Sequence, residues 1–184
     1  MIPIPRPDYF KQEYTETEKV CYSSERRIKE MTTLAFPQEI TTLLAEHRFG
    51  VLATYGGEYP YTSLISLAFS DDFHCLLFPT LRETRKYTNL CRETRISVLL
   101  DNRSFENRPE KLYALTVLGS ALETDAAHSA ENRDLLLKCH PNLTGFLALP
   151  ETALIQMNIS KVILVEELQK IREFDCLPPG PASV

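Results

Sequence analysis

The chain has 184 residues, of which 43% are hydrophobic and 24% charged, and its formal net charge is −5 at pH 7. That composition suits one globular domain that buries its own core without a disulfide or metal staple. The acidic balance argues against nucleic acid as a main partner, and no apolar run approaches the roughly 20 residues of a membrane helix.

The five cysteines include no CxxC pair, and Pro3, Pro5 and Pro7 stand where a signal peptide would carry its apolar stretch. Both features point to a cytoplasmic protein in a reducing compartment. Residues 1–30 are polar, with sparse apolar positions and no clear period, so they read as an N-terminal extension. The core domain is expected over 31–170. A flexible C-terminal tail is expected over 171–184, where Pro178, Pro179 and Pro181 cluster.

Within the core, Pro37 suits the start of a helix running to about residue 48, with Ile40, Leu43, Leu44 and His47 on one face. Residues 51–54 read as a short buried strand. Residues 55–58 read as a turn, because the Gly56-Gly57 pair accepts positive φ. Residues 61–69 follow as a second strand, with Leu64 and Ser66 on one face and Ser63, Ile65 and Leu67 on the other. After the turn Ser70-Asp71-Asp72, residues 74–78 make a third strand closed by Pro79, which completes an antiparallel meander. A helix over 84–93 turns Tyr87, Leu90 and Cys91 inward. Then come a strand over 95–101, a polar loop over 102–111 and a long strand over 112–123. An amphipathic helix over 126–140 is stopped by Pro141. A short helical stretch over 143–147 and a last strand within 153–167 complete the order. Six strands with helices set between hairpins predict a mainly β (α+β) fold, a closed or nearly closed antiparallel barrel.

The stretch FPTLRETRKYTNL, residues 78–90, carries the clearest chemistry. A strand ends at Pro79, the Thr80 hydroxyl follows, and a helix begins at Thr84-Arg85-Lys86. Helix starts expose unpaired N–H groups and the positive end of a dipole. A hydroxyl, a guanidinium and an ammonium placed there would hold a phosphate monoester. A second reading is an ordinary helix cap whose basic residues are neutralised by Glu83 and Glu93. His74-Cys75 and Cys139-His140 do not make a metal site, since adjacent strand residues point to opposite faces and a histidine at a helix end is commonly a cap. No Ser-His-Asp pattern, Walker loop or GxGxxG is present.

Taken with HRFGVLAT (47–54), PYTSLISLAF (60–69) and RISVLLDNR (95–103), that stretch resembles the pyridoxamine 5′-phosphate oxidase-like flavoproteins, in the same order and over residues 36–167. The resemblance implies a six-stranded antiparallel split β-barrel with peripheral helices, and a homodimer with FMN at the subunit interface. It implies that Thr84, Arg85 and Lys86 grip the FMN phosphate. It implies that Thr62, Ser63, Leu64, Ile65 and Ser66 line the isoalloxazine ring, with Phe78, Pro79 and Thr80 on the neighbouring strand end. It implies that Asp101, Asn102 and Arg103 reach the flavin of the second subunit. The basic C-terminal Arg-x-His segment of the vitamin oxidase itself has no counterpart, and no histidine follows Ala153. The expected activity is therefore an FMN-dependent oxidoreductase working between a small-molecule electron donor and acceptor, of flavin reductase or nitroreductase type, with no catalytic side chain assigned. The alternatives are pyridoxamine or pyridoxine 5′-phosphate oxidation, or a protein that binds FMN, heme or a deazaflavin without turnover.

Overall fold

A computed structural model of the chain describes residues 34–103, 112–125, 129–167 and 169–177. The extension expected over 1–30 lies outside them, as do most of the polar loop and the first turn expected for the helix from 126. Helix α1 is Gln38–Ala45. Pro37 stands one position before it as the N-cap, extended at ψ 148°, and not at the first helical position. Ile40 and Leu44 are wholly buried beneath it. Strands β1 (Phe49–Tyr55) and β2 (Pro60–Ser66) form the expected hairpin, in register from Phe49↔Ser66 to Tyr55↔Pro60. At the turn, Gly57 takes φ +103°, a conformation that a side chain would strain.

Among the described residues there are eight strands where six are expected. The second predicted strand breaks at Leu67 into β2 and the short β3 (Ala68–Phe69). Here the Leu67 N–H donates to Arg48 O at 2.8 Å, and the ring of His140 bonds the Leu67 carbonyl through Nε2 at 2.9 Å. The chain thus kinks within the predicted second strand, and the meander forms with that kink: residues 60–66 pair with β1, and only residues 68 and 69 pair with the third strand. Strand β4 (Cys75–Leu81) pairs with β3 and β7 and shares no ladder with β2. It also runs through Pro79 where a stop is expected. The proline is tolerated because β3 covers only Leu76 and Leu77, which leaves that side of Pro79 without a strand neighbour.

Helix α2 (Arg85–Arg92), β5 (Arg95–Asp101) and β6 (Tyr113–Glu123) follow. Helix α3 (Ser129–Cys139), a 3₁₀ turn (Pro141–Leu143) and α4 (Thr144–Leu147) lead into the long β7 (Thr152–Glu166). A last strand, β8 (Lys170–Asp175), extends the sheet along β7, although the sequence reading assigns residues 171 onward to a tail. The sheet order is β2-β1-β5-β6-β7-β4-β3, with β8 also on β7. Both ends of this order, β2 and β3, belong to one run of chain kinked at Leu67, so the sheet curls toward closure and leaves a split. The core inside holds Leu52, Phe78, Val98, Val117, Met157 and Leu164, all fully buried. A second cluster, Ala68, Leu136, Leu147 and Leu154, seats α3 and α4 on the outer side.

Candidate functional site

The end of β4 and the start of α2 form one hydrogen-bonded corner. Thr84 caps α2, accepting from the Tyr87 N–H at 3.4 Å and donating from its hydroxyl to Leu81 O at 2.8 Å. The buried Thr80 hydroxyl is hydrogen-bonded to the Thr84 hydroxyl at 3.0 Å. The first intrahelical bond runs from Thr88 N to Thr84 O at 3.1 Å, so the N–H groups of Arg85 and Lys86 precede the helical ladder. Arg85 is exposed, with its guanidinium carbon 5.4 Å from the centre of the Tyr61 ring. Lys86 is half-buried, and burial holds its ammonium below the ordinary lysine range.

The two readings of this corner part at its carboxylates. Glu93 is taken by Arg95, whose guanidinium lies 2.6 Å from it, and bonds from Arg95 pull the Glu93 carboxyl down to about 2. Glu123 is taken by Arg82 and by the Tyr87 hydroxyl, which donates at 2.7 Å. Among the described residues no carboxylate pairs with Arg85 or Lys86. The helix start therefore presents two cations that the fold does not neutralise.

Strand β2 is an end strand of the sheet, so one edge of its backbone lacks a strand partner. Thr62 and Leu64 face outward, and Leu64 is 70% exposed. Ser66 is half-buried and Ile65 is in the core. The hydroxyl of Ser63 is buried without a hydrogen-bond partner, a costly arrangement for a polar atom. Phe78 also sits in the core, while Pro79 is half-buried at the strand end.

Asp101, Asn102 and Arg103 lie apart from this corner. β5 runs beside β1 with Ala53↔Ser97 and Val51↔Leu99, which carries Asp101 toward the Phe49 end. Helix α2 touches the opposite end, through Asn89 and Thr54. The single chain does not bring the two groups together. Burial works to raise the Asp101 carboxyl, but a side-chain bond from Arg103 Nε at 2.8 Å and one from its backbone N–H hold it below the usual range. Nearby, the Tyr113 hydroxyl donates to Glu46 at 2.8 Å and lies 3.3 Å from His47 Nε2.

Sequence reasoning used Gly56 only as a turn residue and did not single out Thr54 or Asn89, which tie α2 to the hairpin, nor Glu123, which anchors Tyr87. The signal available was the helical spacing of Arg85 and Asn89, which puts them on one face. A cavity of about 580 Å³ is lined by Arg82 and Glu123 together with Ser129, Arg133 and Thr152, and by none of the predicted site residues. Among the described residues no group of three or more His, Cys, Asp or Glu is placed to hold a metal ion. No helix among them is long and apolar enough to cross a membrane.

The family model described as Pyridoxamine 5'-phosphate oxidase matches residues 36–165. Solved structures share the fold. A heme binding protein from Mycobacterium smegmatis superposes with a TM-score of 0.67 at 18% identity, over 75% of this chain and 57% of that one. This chain thus spans little more than half of that protein's length. An FAD-binding protein from Mesorhizobium loti gives 0.58 at 20% identity, over 74% of this chain and 99% of that one. A protein of the pyridoxinephosphate oxidase family from Clostridium acetobutylicum, related to general stress protein 26, gives 0.58 at 16% identity, over 74% and 92%. Comparison with curated proteins finds no match.

Proposed function

Because the chain belongs to the pyridoxamine 5′-phosphate oxidase family, we propose that it is an FMN-binding flavoprotein that works between a small-molecule electron donor and a small acceptor, as a flavin reductase or nitroreductase-like enzyme. The observation that carries this reading is the un-neutralised pair Arg85 and Lys86 at the start of α2, next to an end strand with open backbone edge. The residues fit the cofactor. Arg85 and Lys86 supply the charge a phosphate monoester needs, with the N–H groups of the first helical turn beside them. The buried, unpartnered Ser63 hydroxyl supplies a polar atom for a ring edge along β2. When bound, the flavin supplies the electron or hydride transfer. The chain orients it, and Thr80 and Thr84 hold the corner rigid through their bond to each other and to Leu81 O.

The reductase reading is favoured over pyridoxamine phosphate oxidation by the state of the C-terminal strand. Its Arg172 is engaged by Glu39 at 2.7 Å and Glu166 at 3.0 Å, leaving no open basic pair there for a second phosphate. A heme reading is less favoured, because each described histidine already has a ring nitrogen engaged. The ring nitrogens of His47, His74 and His140 already face Tyr113, Leu177 O and Leu67 O.

The assembly we propose is a homodimer. The outward row Leu64, Val51 and Leu99 lies in register across β2, β1 and β5, beside Phe49. Leu64 and Phe49 are 70% and 47% exposed in the single chain, which makes this face an apolar surface suited to a second copy. A cytoplasmic setting suits Cys75, Cys91, Cys139 and Cys176, none of which forms a disulfide.

The test is titration of the purified protein with FMN, riboflavin and heme. FMN should bind tightest. Changing Arg85 and Lys86 together to Ala should weaken FMN about 100-fold or more while leaving riboflavin nearly unaffected. Unchanged FMN affinity in that variant removes the phosphate assignment. Consumption of NADH with a quinone or nitroaromatic acceptor separates a reductase from a passive carrier.

A further inference from the structure

Asn89 lies in the middle of α2, on a helix whose composition is strongly polar, yet it is only 4% exposed. Its amide donates from Nδ2 to Thr54 Oγ1 at 3.0 Å, and the Thr54 hydroxyl lies 3.4 Å from Tyr61 O, to which it donates. Thr54 and Tyr61 are register partners across the β1–β2 hairpin. The other side of the Asn89 amide is pressed on Gly56, where an added Cβ would stand 2.3 Å from Oδ1. The Asn89 side chain therefore ties helix α2 to the hairpin beside its turn, and glycine is what permits the approach. Arg85 is one helical turn earlier on the same face, over the ring of that same Tyr61. The two halves of the site, the cations of α2 and the strand that begins at Tyr61, are linked by a chain of Asn89, Thr54 and Tyr61.

We propose that Asn89 is a positioning residue that sets the spacing between the Arg85–Lys86 anion cradle and strand β2, and so decides how much of a flavin's affinity comes from its phosphate. This rests on the FMN reading above. A ligand held at two points gains from the second only when their separation matches its own length. Riboflavin, which has the same ring and no phosphate, feels the strand alone. A buried asparagine that merely glued helix to hairpin would change stability and would weaken both ligands alike.

The experiment compares FMN and riboflavin affinities, by flavin fluorescence quenching, in the wild type and in Asn89→Ala, Thr54→Val and Thr54→Ser, with folding checked by circular dichroism. The wild type should prefer FMN. Asn89→Ala and Thr54→Val should each cut the FMN-to-riboflavin ratio about tenfold, and the double variant no further, because both break one chain. Thr54→Ser keeps the hydroxyl and should keep the ratio. If Asn89→Ala does not fold, Thr54→Val and Gly56→Ala, which displaces the amide, carry the same test. A wild type with strong FMN preference that persists in folded variants overturns the role of Asn89 and spares the flavin reading. A wild type with no preference for FMN overturns both.

Discussion

The hydroxyl of Tyr87 donates to Glu123 Oε2 at 2.7 Å, which ties the first turn of α2 to the end of β6. The same carboxylate holds Arg82, the first residue beyond β4. Glu123 therefore fixes two elements at the corner and keeps Arg82 from competing for an anion at the neighbouring helix start.

Removing the Tyr87 hydroxyl tests that anchor. Tyr87→Phe should cost about 0.5–1 kcal/mol, less than a buried bond to a charged group, because the pair is partly open to solvent. Glu123→Gln should weaken the corner further, since an amide neither neutralises Arg82 nor accepts as strongly from Tyr87. Urea denaturation of both variants checks the order. A Tyr87→Phe protein less stable than Glu123→Gln contradicts it.

Buried His140 and half-buried His47 predict acid sensitivity. Burial lowers His140, against the opposing effect of its bond to Leu67 O, and burial lowers His47, against nearby Glu46 and Asp101. Their folded-state values therefore fall below the ordinary 6.5. As pH drops past that value the unfolded chain takes up protons that the folded chain refuses, so stability falls with pH until the folded forms titrate as well. Melting temperature should decline between about pH 7 and pH 5. His140→Gln keeps a donor for Leu67 O and does not titrate, so its decline should be shallower. An equal slope in wild type and variant shows that His140 is not a source of the effect.

How much of this was legible in the sequence depends on whether the cause was local. The β1–β2 hairpin was, because Gly56-Gly57 marks its turn, and Gly57 does take positive φ. The start of α2 was, because Thr84 is a capping residue and caps its helix. The kink at Leu67 was not. Ser66-Leu67-Ala68 continues the strand alternation without glycine or proline, and the break is made by Arg48 O and His140, both distant in sequence. Pro79 read as a stop because nothing local says that β3 ends before it. Residues 171–175 read as tail because they belong to a charged end strand, with Ile171 66% exposed. The site divides in the same way. Thr-Arg-Lys is contiguous and visible, whereas Asn89 looks like a solvated helix residue until Thr54, 35 positions earlier, is placed beside it. The pairing of Glu93 with the helix start gave way to Arg95, whose side chain and N–H both reach it.

The apolar outer row gives a prediction about assembly. Leu64 on β2 and Leu99 on β5 flank Val51, and a carboxylate at either end would have to be desolvated against a second copy. Leu64→Asp together with Leu99→Asp should shift a dimer to monomer in sedimentation equilibrium. Both positions are outward-facing, so the variant should keep its secondary structure. A monomeric wild type, or a variant that stays dimeric, removes this face from the interface.

Lys86 predicts a pH limb in cofactor binding. Burial disfavours its ammonium and places its titration below the ordinary 10.5. The proton is therefore lost at lower pH than from an exposed lysine, and with it goes the charge that would face the phosphate. FMN affinity should fall as pH rises from about 7 toward 10, and riboflavin, measured alongside, corrects for titration of the ring itself. Lys86→Arg restores a charge that does not titrate in this range and should flatten the limb even if its altered shape weakens binding overall. Lys86→Met should be weak at every pH with no limb. A wild-type limb that survives unchanged in Lys86→Arg assigns the titration to another group and takes Lys86 out of the cradle, leaving Arg85 as its cation.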